Sequence, residues 1–565
     1  MKKIWICAVI TAFIATLSGC LDDDNNYDYK KLNEVEGAMD NMANFARNYS
    51  VISGEELLLH PTFKFTIDSL NPDVSYEWYL DRKLLPEETG PTYAFKSDRS
   101  GRYEVTFSVK DNKSGIKFSR STSILVRSIY QRGWTILSDE GGRSVLHFII
   151  PQTYKYETTF EGKKISRDSL VYHIVRRDIV PDLGTNPIGL MNNIGDMDYY
   201  GQYGIQVYDE LVVKQDRWAE LNGNTLEREV YTDQEFGDEL PADFTPVEAS
   251  MTSSAKAVRD KNGLIYWMNK TDVTDFHSGF YTSVGLNNNT KFSRLFEAYK
   301  FNDLYTNVFL ALTEDNSFVG ILDRGFAFRG TAITEGSSSS SGNMFSIVGE
   351  GQTKFTNIEK TVIDVYPAPY DSGNDISSAK AYWVALLKDE SNQYDLWTFG
   401  LKSETSTNVT CNSFYEQPFN KSISDYRGMA VFGITCYVVI ADGNQLYYFQ
   451  YGVNLETGNP YKGSLIALGN PFDSNIKAIS SLDLTNYAAN YNQFPYNGQL
   501  GVALENGEFY IFDIKETKSD DTGACTSVDM TQVFPNEAAP DNKFGKIVDV
   551  LYKLGNGFDY MSFAF

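Results

Sequence analysis

The sequence predicts an all-β protein: a small N-terminal two-sheet sandwich, then a much larger β-propeller. Three observations predict it. Short runs rich in Val, Ile, Tyr, Phe and Thr recur along the chain between Gly, Asn and Asp, and long amphipathic helical patterns are scarce. The hydrophobic fraction is 42% and aromatics reach 14%, enough for more than one large core in 565 residues. Apolar hairpins then return, with starts roughly 44 to 77 residues apart, over the last three quarters of the chain.

The first nineteen residues lie outside that fold. Lys2 and Lys3 form a positive start, Ile4 to Leu17 is apolar, and Leu17-Ser18-Gly19-Cys20 follows. The apolar run falls short of the roughly 20 residues of a comfortable membrane span, and its form is that of a targeting segment. Leu17 to Cys20 resembles the lipobox of bacterial lipoproteins. The resemblance implies removal of residues 1–19 and a diacylglycerol on the Cys20 thiol. The acidic run Leu21-Asp22-Asp23-Asp24-Asn25-Asn26 resembles the signal that sends lipoproteins of Bacteroidota to the exterior of the outer membrane. Residues 20–47 hold few large apolar side chains and are expected to form a flexible tether.

Residues 48–128 are expected to form the sandwich. Its strands are read as Glu56–His60, Thr62–Ile67, Ser75–Leu80, Tyr103–Lys110 and Lys117–Val126. Tyr76-Glu77-Trp78-Tyr79 alternates and places Trp78 between the sheets. A second alternating strand runs Gly101-Arg102-Tyr103-Glu104-Val105-Thr106-Phe107-Ser108-Val109-Lys110-Asp111. A Trp strand followed by this Gly-Tyr-Val-Val-Asp strand resembles immunoglobulin-type and, more narrowly, PKD domains.

Residues 129–565 carry the hairpins. They fall near 134–149, 211–221, 255–268, 308–322, 382–399, 436–449 and 500–514, and 546–563 is a candidate eighth. Each is an apolar strand, a turn of acidic residues, Asn or Gly, and a second apolar strand. The spacing leaves room for four strands per unit, which predicts seven propeller blades with an eighth left open. No WD or kelch signature is present.

Charge and composition narrow the chemistry. The net charge is −24, and −26 once Lys2 and Lys3 leave, which argues against nucleic acid or anionic lipid as a partner. Cys411, Cys436 and Cys525 remain after Cys7 and Cys20 are accounted for, with no spacing for a zinc site. Cys436 opens an apolar run and is read as a buried thiol. The four histidines His60, His147, His173 and His277 form no HxxxH or HExxH pair, and only His277 falls in a loop. No GxSxG elbow or glycine-rich phosphate cradle is present, and no cofactor is predicted. Asp371, Asn374 and Asp375 are weak calcium candidates, without the spacing of an EF-hand loop. Trp218 and Trp267 are read as core.

Two segments suit ligand capture. Tyr487, Tyr491, Phe494 and Tyr496 stand among Asn and Gln, and Tyr199, Tyr200 and Tyr203 stand in a second polar stretch. Rings offer apolar area at low entropy cost and amides offer directed hydrogen bonds, a pairing that suits sugars or peptides.

The order of lipobox, acidic tether, PKD-like domain and then Arg132-Gly133-Trp134-Thr135-Ile136-Leu137-Ser138 resembles the PKD-like surface lipoproteins of Bacteroidota. That resemblance implies an outer-membrane, lipid-anchored protein working beside a SusC-like TonB-dependent transporter and a SusD-like lipoprotein. The function expected is non-catalytic capture of an oligopeptide or glycan for uptake. A propeller glycosidase or lyase using paired carboxylates, and a structural brace without a ligand, are the alternatives.

Overall fold

The computed structural model describes residues 32–36, 42–67, 70–160, 163–193, 209–237, 239–252, 254–271, 276–298, 307–323, 342–368, 380–402, 408–433, 436–452, 461, 463–483, 498–518 and 524–553. The described residues are almost entirely strand and turn, and none of their helices is long and apolar enough to cross a membrane. The chain divides into two compact units, residues 1–98 with 102–126, and residues 99–101 with 127–565.

The first unit is a sandwich. One sheet has the order 48–52, 117–127, 101–111, 74–80, 83–85, and a smaller one pairs 56–59 with 93–96. Alternation along Gly101–Asp111 buries Val105, Phe107 and Val109. Trp78 is fully buried, packs 4.8 Å from Phe107, and donates its indole N–H to the Gly90 carbonyl at 2.9 Å. Two expectations need correction. Thr62–Ile67 is not a strand; it is held by isolated bridges at Thr62 and Phe65. The segment expected as a tether is not free over its last part. Val35, Met42 and Phe45 are buried in the sandwich core, and a few large side chains suffice to anchor a polar segment.

The second unit is a succession of antiparallel sheets. Six of the seven hairpins read from the sequence form as strand pairs over most of their expected length, and 436–449 forms as 437–442 with 445–450. Each sheet adds strands beside its hairpin, on both sides in all but the third. The first sheet orders 163–176, 143–160, 133–140 and 546–553; the second orders 189–193, 210–214, 219–222 and 228–231. The third has three strands, 246–251, 255–260 and 265–269. An eight-stranded sheet follows, made of two four-stranded halves (292–295 to 344–349, and 361–368 to 409–418) joined by parallel pairing of Ile347–Gly349 with Val409–Cys411. Two four-stranded sheets, starting at 426 and 476, complete the unit. Residues 546–553 pair with 133–140, so the first sheet is built from both ends of the unit, and 554–563 of the expected eighth hairpin lie outside the described residues.

The first strands of successive sheets touch. Leu295 N–H donates to Glu248 at 2.7 Å, Arg294 to the Ile363 carbonyl at 3.5 Å, and Tyr426 to Asp364 at 2.9 Å. The Ser481 hydroxyl donates to the Val431 carbonyl at 2.7 Å, and the Tyr552 N–H donates to the Ser480 hydroxyl at 3.3 Å. The Leu190 N–H reaches Asp549 at 2.8 Å, and Met191 packs with Ala249 and Met251. Ser480 and Tyr552 lie close to the ends of their strands, so 476–482 and 546–553 finish side by side. Lys553, the last residue of 546–553, meets Asp209, which precedes the strand Glu210–Lys214.

Candidate functional site

The second and third sheets face each other through charge. In the second sheet Glu210 and Val212 share a side of one strand, and Val212 lies opposite Glu220 on the next. Val212 packs on Ala249 and Met251 of the third sheet, so both glutamates point that way. In the third sheet Ala255 and Ala257 turn towards Phe309 and Ile321. Alternation therefore sends Lys256 back towards the glutamates.

Lys256 has no exposed side-chain surface. Its Nζ lies 2.5 Å from Glu220 Oε2, 2.9 Å from Glu235 Oε1 and 3.4 Å from Glu210 Oε1. His277 closes the cluster, with Nδ1 at 2.8 Å from Glu235 Oε1 and Nε2 at 3.1 Å from Glu229 Oε2. His277 Nδ1 also lies 3.3 Å from Lys256 Nζ, and Glu235 Oε1 is in contact with both. Glu220 also accepts from the Thr232 hydroxyl at 2.6 Å, and Glu229 from Asn222 at 2.7 Å.

Burial and charge compete at each group. Burial works against the Lys256 ammonium, but Glu210, Glu220 and Glu235 outweigh it and hold its pKa well above the usual value. Burial likewise opposes the His277 imidazolium, and Glu210, Glu229 and Glu235 reverse that, pushing it up to about 10. Burial raises the Glu210 carboxyl well above the ordinary range, with Lys256 only partly opposing it. Glu220 feels the same burial, but Lys256 and His277 overcome it and lower its pKa. The Glu210 and Glu220 carboxyls lie close enough to raise the one and lower the other, and burial also raises the Tyr281 hydroxyl well above its usual value.

Glu210, Glu220 and His277 offer three ligand atoms within 4.8 Å of one another, a donor set that zinc or manganese accepts. Lys256 Nζ, however, stands 3.4, 2.5 and 3.3 Å from those three side chains and fills the centre of the triad. A metal bound at about 2.0–2.2 Å from the same atoms would occupy that place. The cluster is thus arranged as an ion lock between two sheets, with the lysine as its cation.

A second buried pair lies close by in the chain. Lys553 Nζ meets Asp209 Oδ2 at 2.6 Å and donates to the Gln131 carbonyl at 2.7 Å, and Asn192 donates to Asp209 at 2.8 Å. Gly223 makes this possible: a Cβ there would lie 2.2 Å from the Asp209 carbonyl oxygen.

Of the residues singled out from the sequence, His277 alone enters the cluster. His147 is buried, and burial pushes it down to about 4; His60 and His173 are exposed. Trp218 and Trp267 are core residues. Cys436 is half-buried with φ of +58°, not fully buried as its apolar run suggests. Cys411 is buried, which pushes its thiol up to about 11. Tyr487, Tyr491, Phe494 and Tyr496, Tyr199, Tyr200 and Tyr203, the calcium candidates Asp371, Asn374 and Asp375, and Cys20 all lie outside the described residues. Sequence reasoning missed Glu210, Glu220, Glu229, Glu235 and Lys256. Their signal was a charge inside an apolar strand, as in Ala219-Glu220-Leu221 and Ala255-Lys256-Ala257.

Residues 20–174 match the PKD-like family, so the N-terminal part of the chain is a PKD-like domain. A quinonprotein alcohol dehydrogenase-like protein of Bacteroides thetaiotaomicron is similar at 12% identity and a TM-score of 0.26, over 92% of this chain and 100% of that one. Prp20p of Saccharomyces cerevisiae is similar at 11% identity and a TM-score of 0.35, over 74% and 88%. Human WBSCR16 is similar at 8% identity and a TM-score of 0.27, over 56% and 69%. Similarity at this level assigns neither an activity nor a ligand. No curated protein matches the chain.

Proposed function

We propose that this chain is a lipid-anchored surface protein whose larger unit is a seven-bladed β-propeller and which captures an oligopeptide or glycan for a SusC/SusD-like importer, without catalysis of its own. The blade count is supported by the sheets: taking the eight-stranded sheet as two halves gives seven among the described residues. Ring closure is supported by strand 546–553 completing the sheet that 133–140 begins, and by the sheet-to-sheet links of the first strands. The lipobox and Cys20 support the anchor, since two acyl chains hold a protein stably on a membrane. The PKD-like domain supports the resemblance to the Bacteroidota lipoproteins.

One observation carries the capture reading. Segment 484–497 leaves the strand Ile476–Leu482, whose end lies beside that of 546–553. Segment 194–208 returns at Asp209, which is bonded to Lys553 at that same end. The described residues that flank the two aromatic, amide-rich segments, Leu482 and Asp209, therefore lie at one end of one strand, which supports a shared role for the two segments.

The test is a pull-down of the tagged native protein from outer membrane in mild detergent, with mass spectrometry of proteins and small ligands. A TonB-dependent transporter, a SusD-like protein and a bound peptide or sugar are expected. In a second arm, the triple variant Tyr487→Ala, Tyr491→Ala, Tyr496→Ala should lose most of the ligand at unchanged thermal stability. Recovery of the protein alone and empty, or full retention of ligand by the variant, overturns the reading.

A further inference from the structure

We infer that a cleft beside the outer strand of the first sheet is a binding site for a carboxylate group. The cleft holds about 340 Å³, near the lower end of small-ligand sites, and lies between Lys163–Arg176 and residues 538–541.

A bulge shapes it. Val171 pairs with Gln152 and Ile174 with Ile150, so Tyr172 and His173 together face the single residue Pro151. Bulges re-aim side chains. Here Tyr172 turns fully inward, its hydroxyl donating to Gln499, while His173 is exposed at the cleft. Arg177 forms one wall and is fixed. It stacks 4.2 Å over the Phe544 ring, donates to the carbonyls of Lys543 and Asp541, and pairs with the Asp541 carboxylate at 3.0 Å. Arg176 is different: it is exposed, and among the described residues its guanidinium has no hydrogen-bond or ion-pair partner.

Two guanidinium groups thus stand against one carboxylate, on a protein whose net charge is −24. Most of the surface repels an anion, and this cleft retains an excess of positive charge. The free planar fork of Arg176 matches a carboxylate through two parallel N–H bonds. A His173 ring N–H supplies a third donor, and Ala538, Ala539 and Pro540 give the carbon skeleton an apolar wall.

The site is separate from the one proposed for capture. The cleft shares no residue with segments 194–208 and 484–497, and it lies on the outer strand of the first sheet: Val175 pairs with Ile149, Ile149 with Trp134 and Trp134 with Tyr552, which sets it three strands, roughly 14 Å, across the sheet from 546–553. The carboxylate has two sources, an acidic side chain of a peptide or a uronic acid.

The experiment titrates the purified full chain with acetyl-Glu-amide and with galacturonate, followed by saturation-transfer NMR, with acetyl-Gln-amide and galactose as neutral controls. Binding of at least one acid with a Kd of about 1 mM is expected, together with at least tenfold preference over its control. Arg176→Gln should weaken it about tenfold, and Arg176→Lys should recover only part, because a point charge lacks the fork. His173→Gln should weaken it severalfold. The acid that binds names the source. Equal binding of a neutral control, no loss in Arg176→Gln at unchanged thermal stability, or no binding of either acid at tens of millimolar overturns the inference. The variant Tyr487→Ala, Tyr491→Ala, Tyr496→Ala should leave this binding unchanged, so failure here and failure of the capture reading are told apart.

Discussion

Two sheet-to-sheet contacts in the same unit are filled in opposite ways. Between the second and third sheets the contact is ionic, with Lys256, Glu210, Glu220 and Glu235 all buried. Around the two halves of the eight-stranded sheet it is aromatic and aliphatic, with Phe399 packed 5.1 Å from Phe355 and 5.9 Å from Phe318, beside Trp383, Trp397 and Leu387. The aromatic contact draws on area removed from water, which is non-directional and indifferent to pH. The ionic contact gives back in Coulomb attraction most of what burial of its charges costs, so its net contribution is small while the loss of one member is expensive. It favours one mutual placement of the two sheets, because a shift of an ångström leaves buried charges unpaired. The difference teaches that these neighbouring contacts divide two tasks: the aromatic one supplies cohesion and the ionic one supplies registry.

The largest effect tests that division directly. Lys256→Ala leaves Glu220 and Glu235 without their central cation, and a loss of about 3–5 kcal/mol is expected in urea unfolding. A loss below about 1 kcal/mol would show that the cluster relaxes or hydrates freely, and the registry argument would fall with it. The same variant vacates the centre of the Glu210, Glu220 and His277 triad. Thermal unfolding of Lys256→Ala should therefore rise in the presence of zinc or manganese, while the parent protein should show no such rise.

A smaller effect follows from His277, whose side chain keeps 14% of its surface exposed, so water screens part of its attraction. Its folded pKa is raised to about 10 against an unfolded value of about 6.5. A raised pKa contributes stability that is fully present below about pH 6.5 and is lost as pH climbs towards 10. Glu210 and Glu235, also raised, contribute with the same sign, so the parent profile alone does not isolate the histidine. The difference between the parent and His277→Gln does. The variant should be less stable at pH 6, and the gap should close by about pH 10. A gap that is constant with pH would mean that the imidazole contributes by packing alone.

The sequence made parts of this comparison legible and hid others for physical reasons. Alternation in Gly101–Asp111 and the hairpin cores at 211–221 and 255–268 could be read because strand period and turn chemistry are local. The pairing of 546–553 with 133–140 could not, since it joins segments some four hundred residues apart and leaves no local mark on either. The tether was misjudged because Val35, Met42 and Phe45 are spaced too irregularly to show a period. For the ion lock, the sequence displays Glu220 and Lys256 within apolar strands, but that they meet is a property of how two sheets face each other. His277 read as a loop histidine, which it is. Only the fold brings Glu229 and Glu235 to its two ring nitrogens.

The smallest effect belongs to the aromatic contact and is the control for the other two. Phe399→Leu keeps an apolar side chain at a site 1% exposed and removes part of a ring that touches Phe318 and Phe355. The surrounding rings can close part of the gap, so a loss of about 1–2 kcal/mol is expected. No ionisable group belongs to that apolar core cluster apart from the Cys411 thiol, which burial pushes up to about 11. The loss should therefore stay the same from pH 6 to 9, measured by urea unfolding at each pH. A loss that varies with pH across this range would mean that the aromatic and ionic contacts are coupled through the intervening sheet. Registry and cohesion would then be one cooperative property of the unit and not two local ones.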